Sequence, residues 1–258
     1  DQCRKARHRA MAIPSSKWWI SLFTGVKSYF VSTRKNAVAT AVTLPLLLLY
    51  NVGLLMPGNR SMNAADFLTG LVMRFAGLNG FLVLNGVLVC ASIVMLLILI
   101  RDGQFRPLHW LLLCFEGLVL GLLLGRGVIY VMAEVHLLAS GGLPEMSLLQ
   151  KLTMSAGAGY WEELVFRLLM IGGPIAIARR LRRGKGGVGG VILTALVATV
   201  ISSVLFSLAH YLGQEAFEGY TFWYRTLSGV VFSLIFLTRG FAVAAYTHFL
   251  YDVVVMVF

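Results

Sequence analysis

The chain has 258 residues, of which 58% are hydrophobic and 13% charged, with a mean hydropathy of +0.81 and a formal net charge of +11. So apolar a composition at this length excludes an ordinary soluble domain. The basic excess fits residues flanking membrane spans, and no nucleic-acid partner is expected from it.

The first 35 residues form a basic arm carrying Arg4, Lys5, Arg7, Arg9, Lys17, Lys27, Arg34 and Lys35. Trp18-Trp19-Ile20 and Leu22-Phe23 interrupt these charges. Indole rings settle at the headgroup level while lysines meet anionic lipid, so the arm is expected to hold an amphipathic helix lying at the membrane interface. From residue 36 to 258 the pattern predicts one transmembrane helical domain. Runs such as Ala37 to Met56, Phe81 to Ile100 and Val188 to Ala209 are nearly free of charge. Each is about twenty residues, long enough to cross a ~30 Å hydrocarbon core at ~1.5 Å per residue. The reading is an all-α polytopic membrane protein, a bundle of about seven spans near 37–56, 75–100, 108–137, 151–178, 189–211, 221–238 and 240–258.

The third span is long and contains Glu116, Arg126 and Glu134, so it is expected to bend or to leave the bilayer early. Its Gly117, Gly121 and Gly125 recur every four residues and give one smooth face for close helix packing. Cys3, Cys90 and Cys114 are an odd set and imply no disulfide framework. With the N-terminus taken as cytoplasmic, sixteen of the 22 Lys and Arg residues fall on that side and four on the other. The bias predicts a cytoplasmic N-terminus.

Three polar clusters interrupt the apolar spans. The first is Glu162-Glu163-Leu164-Val165-Phe166-Arg167. An ionised group near the bilayer centre costs at least about 2.5–3.5 kcal/mol, so three within two turns point to function. On an α-helix, neighbouring residues are turned apart, and the two carboxylates cannot serve one role. Glu163 and Arg167 are four apart in the order that pairs well, which leaves Glu162 as the candidate general base. The second cluster is Phe206 to His210, at the end of a charge-free span. The third is His248 to Asp252, two polar groups on one face, suited to oxyanion donors or to metal ligands. Glu162 lies roughly 16 Å below the outer start of its span and His248 about 18 Å below the same surface, so the two levels agree. His210 lies nearer the outer face, and one shared site, opening to the outer half of the membrane, is expected.

Taken in order, Glu-Glu-x-x-x-Arg at 162–167, Phe-x-x-x-His at 206–210 and His-x-x-x-Asp at 248–252 resemble the motifs of the CAAX protease and bacteriocin-processing family of intramembrane proteases. The resemblance covers residues 161–252 and implies a glutamate-dependent endopeptidase in a bacterial inner membrane. It implies that Glu162 activates water with help from His210, and that His248 and Asp252 stabilise the oxyanion. Glu163, Arg167 and Phe206 would support them. The prenyl-protein proteases of the family carry Asn where this chain has Asp252, which leaves His248 as the principal donor.

An outward-facing site suits a substrate that is a membrane-anchored protein or peptide cut near its C-terminal membrane segment, as in the myxosortases. No cofactor is expected. Zinc on the two histidines and carboxylates is the lesser alternative, because no His-Glu-x-x-His is present and Glu163 is committed to Arg167. The competing functions are a non-catalytic immunity or scaffold protein and a proton-coupled transporter using the same carboxylates.

Overall fold

The structure is a computed structural model and describes residues 15–56, 67–134, 146–181, 188–212 and 216–257. Every regular element among the described residues is helical. Helix α1 spans Ser15–Thr33, the segment in which an amphipathic helix was expected; residues 1–14 of the arm lie outside the described residues. A short α2, Asn36–Val42, runs through Thr43 into α3, Leu44–Leu55. Pro45 sits in the first turn of α3, where a missing N–H breaks no helical bond. Helices α4 (Phe67–Arg101) and α5 (Pro107–Glu134) follow.

A second group of helices carries the three motifs. Residues 148–181 form one continuous helical run: α6 (Leu148–Gly157), a π-helical segment (Ala158–Gly172) and α7 (Gly173–Leu181). Its start is fixed by a reciprocal cap. The Ser147 hydroxyl accepts from the Gln150 N–H at 3.3 Å, and the Gln150 side chain accepts from the Ser147 N–H at 2.9 Å. Helix α8 (Val188–Ala209) ends in a 3₁₀ turn, His210–Leu212. Helices α9 (Gly219–Arg239) and α10 (Phe241–Val257) close the chain.

Five of these stretches are long and apolar enough to cross a membrane: Ala37–Leu55, Val72–Arg101, Pro107–Ala133, Val188–Leu212 and Gly219–Arg239. Phe241–Val257 is apolar but shorter. The run 148–181, expected as the fourth span, is outside that set; it carries the charged cluster. The chain is thus an all-α polytopic membrane protein. Many of its outward-facing residues, such as Val83, Leu97, Leu123 and Ile192, are large and apolar, as a lipid-facing surface requires.

The third span is one continuous helix with no backbone break at its charges: α5 runs from Pro107 to Glu134, and Glu116 meets a buried arginine partner. The backbone break falls instead in α4 at Gly77, whose φ of 64° suits a residue without Cβ. The fourth span is not an α-helix throughout, since its middle is π-helical.

Helix α10 is the centre of the packing. Ala242, Val243, Ala244 and Ala245 have no exposed surface, and α10 lies between α5 and the π segment. As expected, Gly117, Gly121 and Gly125 line the α5 face of this contact. A Cβ on Gly117 or Gly121 would stand 3.1 Å from α10 backbone atoms of Thr247, and one on Gly125 would stand 3.1 Å from the Tyr251 ring. Small residues allow this approach because helices gain mainly close packing from one another in lipid. Trp110 Nε1 donates to the Tyr246 hydroxyl at 2.9 Å, which donates to the Val42 carbonyl at 2.8 Å, joining α5, α10 and α2.

On its other flank α10 meets Gly159. A Cβ there would lie 2.6 Å from the Ala245 carbonyl oxygen and 2.8 Å from Phe249 Cβ. The obstacle is largely backbone and cannot rotate away. Gly159→Val is therefore expected to destabilise the protein by about 1–3 kcal/mol or more through overpacking. Gly86→Ala, whose Cβ would meet nothing within 4 Å, should leave stability unchanged or raised. Thermal unfolding of the detergent-solubilised protein compares the two. Equal melting temperatures would refute the packing argument.

Candidate active site

The π segment determines how the first motif is presented. Hydrogen bonds from i to i+5 make a wider turn than the α-helix, so successive residues are rotated apart by less than 100°. Glu162 and Glu163 consequently both reach α10, which an α-helical reading of the sequence did not anticipate. Such segments recur at functional sites.

Glu163 is completely buried and has two partners. Its Oε1 is 3.2 Å from Arg167 Nη1 and accepts a hydrogen bond from His248 Nδ1 at 2.8 Å. Arg167, also completely buried, donates to the Gly229 carbonyl at 3.4 Å. Its guanidinium lies 4.4 Å from the centre of the Phe206 ring and 5.3 Å from that of Phe232. Such faces stabilise a desolvated cation. The pair neutralises two charges at a depth where either alone would be expensive.

Glu162 is bound less tightly. Its Oε1 is 3.9 Å from His210 Nε2 and its Oε2 is 3.8 Å from His248 Nε2. Oε2 is buried with no hydrogen-bond partner among the described residues. The carboxylate therefore keeps lone pairs aimed into the site rather than spent on the scaffold.

Both imidazoles are held by their Nδ1 atoms. His210 Nδ1 is 2.9 Å from the Phe206 carbonyl, an acceptor only, so Nδ1 carries the hydrogen and Nε2 faces Glu162. His210 sits where α8 gives way to the 3₁₀ turn. His248 Nδ1 is held by Glu163, which leaves Nε2 facing Glu162 and Asp252, the latter 3.8 Å away at Oδ2. The ring stacks on Phe232 with centres 4.2 Å apart. Phe206 meets Phe166, His210 and His248 edge-on at 5.5, 5.2 and 5.8 Å. The Ser202 hydroxyl donates to the Phe166 carbonyl and ties α8 to the π segment.

All seven residues singled out in the sequence are thus brought together: Glu162, Glu163, Arg167, Phe206, His210, His248 and Asp252. Three features were not legible there. Glu163 orients His248, Phe232 supports the same ring, and Ser202 staples two helices. No spacing signals them, because the partners are 85 residues apart for Glu163 and His248 and 36 for Ser202 and Phe166. Among the described residues, no three His, Cys, Asp or Glu side chains are placed to hold a metal ion.

Residues 144–254 match the family model described as Rce1-like, type II CAAX prenyl endopeptidase Rce1-like. No curated protein and no solved structure matches the chain. The family match contains the whole polar cluster and shows, for that segment, the CAAX protease and bacteriocin-processing resemblance carried by the three motifs. Together with the membrane-spanning helices it supports an intramembrane protease. Helices α1 to α5 lie outside the matched residues.

Proposed function

We propose that this membrane protein is a glutamate-dependent endopeptidase that hydrolyses a peptide bond of a membrane-anchored protein or peptide. The convergence of Glu162, His210, His248 and Asp252, from the π segment, the end of α8 and α10, carries the reading. Glu162 takes a proton from water, with His210 Nε2 orienting the same molecule. The water oxygen attacks the scissile carbonyl carbon. The carbonyl oxygen becomes an oxyanion, stabilised by a hydrogen bond from Nε2 of a doubly protonated His248, whose Nδ1–H donates to Glu163 behind it. The C–N bond then breaks, and the proton held by Glu162 passes to the leaving amine. Asp252 assists by orienting His248 Nε2 or, when protonated, by donating to the oxyanion.

The substrate and the topology belong to the same proposal. The Lys and Arg bias supports a cytoplasmic N-terminus. A bacterial inner membrane, with the site opening to the outer half of the bilayer, completes the proposal. An exported protein cut near its C-terminal membrane tail fits that placement, which favours a myxosortase-like member over one acting on prenylated cytosolic proteins. Side-specific labelling of a cysteine introduced at position 215 should succeed only from the non-cytoplasmic face. Labelling from the cytoplasm would reverse the orientation.

The chemistry is tested with a reporter bearing a single-span C-terminal tail. Wild-type protein in lipid nanodiscs should cut it, with or without a metal chelator, while Glu162→Gln and His210→Ala should not. Undiminished cleavage by both variants would remove the mechanism.

A further inference from the structure

A second, partly buried charge cluster lies outside the three motifs, at the foot of α10. Arg239, the last residue of α9, forks onto Glu116 of α5: Nε is 2.5 Å from Oε1 and Nη2 is 2.8 Å from Oε2. The Tyr29 hydroxyl of α1 donates to Glu116 Oε2 as well. Burial first, and then the adjacent carboxylate, pushes the Tyr29 hydroxyl well above the ordinary phenol range, so it stays a donor. Arg239 Nη2 also approaches Thr33 Oγ1 at 3.4 Å, and its guanidinium lies 4.0 Å from the Phe30 ring centre and 5.2 Å from that of Tyr29. A planar fork with two aromatic faces fixes direction as well as distance.

The position of this cluster in the chain is informative. The residue after Arg239 is Gly240, with φ of 92°, and α10 begins immediately afterwards. Glycine alone adopts this backbone without strain, and it is the single residue that joins α9 to α10. The fork closes on that joint, and Arg34 reinforces it by donating to the Leu237 carbonyl at 3.4 Å. One residue beyond Glu116, Gly117 begins the α5 groove that seats α10 along Tyr246, Thr247 and Tyr251. From Gly240 to His248 is about 12 Å along the helix, so a displaced foot moves His248 Nε2 relative to Glu162.

We propose that the Glu116–Arg239 pair, closed by Tyr29, is a positioning clamp for the catalytic machinery. It sets the height and tilt of α10, and with them the separation of His248 from Glu162. Helices α1 and α5, outside the family match, are in this sense parts of the active device. The inference rests on the protease reading given above. Misplacement by ~1 Å at a reacting centre can lower a rate by about 10²-fold, so a clamp remote from the chemistry can matter to it.

The test uses the full-length protein in nanodiscs with the single-span reporter. Glu116→Gln should lower kcat about tenfold or more while KM changes by less than about twofold, because Glu116 lies outside the polar cluster of the three motifs. The charge-swapped pair Glu116→Arg with Arg239→Glu should recover part of the lost kcat. Spin labels at Val83 and Val255, both outward-facing, should report a shifted or broadened distance in Glu116→Gln and a narrower one in the swap. A pair that merely stabilised the fold would lower the melting temperature and leave the kcat of folded molecules alone.

Folded Glu116→Gln with wild-type kcat would overturn the clamp, and the protease reading would survive if Glu162→Gln stayed inactive. Wild-type cleavage by Glu162→Gln would instead overturn the protease reading. Should Glu116→Gln fail to fold, Tyr29→Phe removes only one hydroxyl and should lower kcat about two- to tenfold; an unchanged kcat there would also overturn the clamp.

Discussion

Glu162→Gln is expected to lower reporter cleavage by about 10²–10⁴-fold and to leave the protein folded, the range general acid–base groups contribute. The two halves of this result come from the same geometry. Glu162 has its nearest partners at 3.8 and 3.9 Å, and one of its oxygens has no hydrogen bond among the described residues. Replacing the carboxylate by an amide of the same shape removes little that holds helices together, and it removes a buried charge. The melting temperature should therefore stay the same or rise. The amide cannot accept a proton from water, so the chemical step fails. Single-turnover cleavage measured beside thermal unfolding separates the two. If activity and stability fell together, Glu162 would be a scaffold residue.

Arg167→Met is expected to show the opposite division, destabilising the protein by about 3–5 kcal/mol. The substitution keeps an unbranched side chain between Phe206 and Phe232 but strips Glu163 of its cation. Glu163 is completely buried, so its charge would remain with His248 Nδ1 as its nearest polar partner. Removing one partner of a buried pair costs more than removing both. The double variant Arg167→Met with Glu163→Gln should accordingly regain much of the lost stability. Its cleavage should stay low, because an amide orients His248 more weakly than a carboxylate does. Unfolding midpoints and reporter cleavage for the single and double variants check both statements. A single variant as stable as wild type would show that the pair contributes nothing to the fold.

The two substitutions divide the motif's adjacent glutamates. Glu163 is fixed to the scaffold from two sides, while Glu162 is kept free of it. That division was readable from spacing, since Glu163 and Arg167 stand four apart and Glu162 has no such neighbour. The reach of both carboxylates to α10 was not readable. It depends on the π segment, and nothing in Ala158 to Gly172 announces the wider turn as periodicity announces an amphipathic helix. Gly159 shows why the segment matters: its missing Cβ is where the Ala245 carbonyl comes closest, and the contact is visible only once both helices are placed.

Glu116 shows the other limit of sequence reading. In isolation it was a charge in an overlong span and an argument for a bend. The helix runs on unbroken past Glu116, and Arg239, 123 residues away, pairs with it there. Local cost was judged correctly, but the partner that offsets it was beyond any local pattern.

Composition and spacing along the chain were enough for the class of the molecule, five helices long and apolar enough to cross a membrane, the close-packing glycine face of α5 and the residues of the three polar motifs. Each of these follows from composition or from spacing within one helix, where the chain's own geometry sets the distances. The folded arrangement was needed to show which nitrogen of each histidine faces Glu162, what holds His248 from behind, and which groups of α1 and α5 meet Arg239. Those depend on contacts between segments tens to hundreds of residues apart, whose separation in space is set by packing and by the pairing of buried charges, and by no period in the chain.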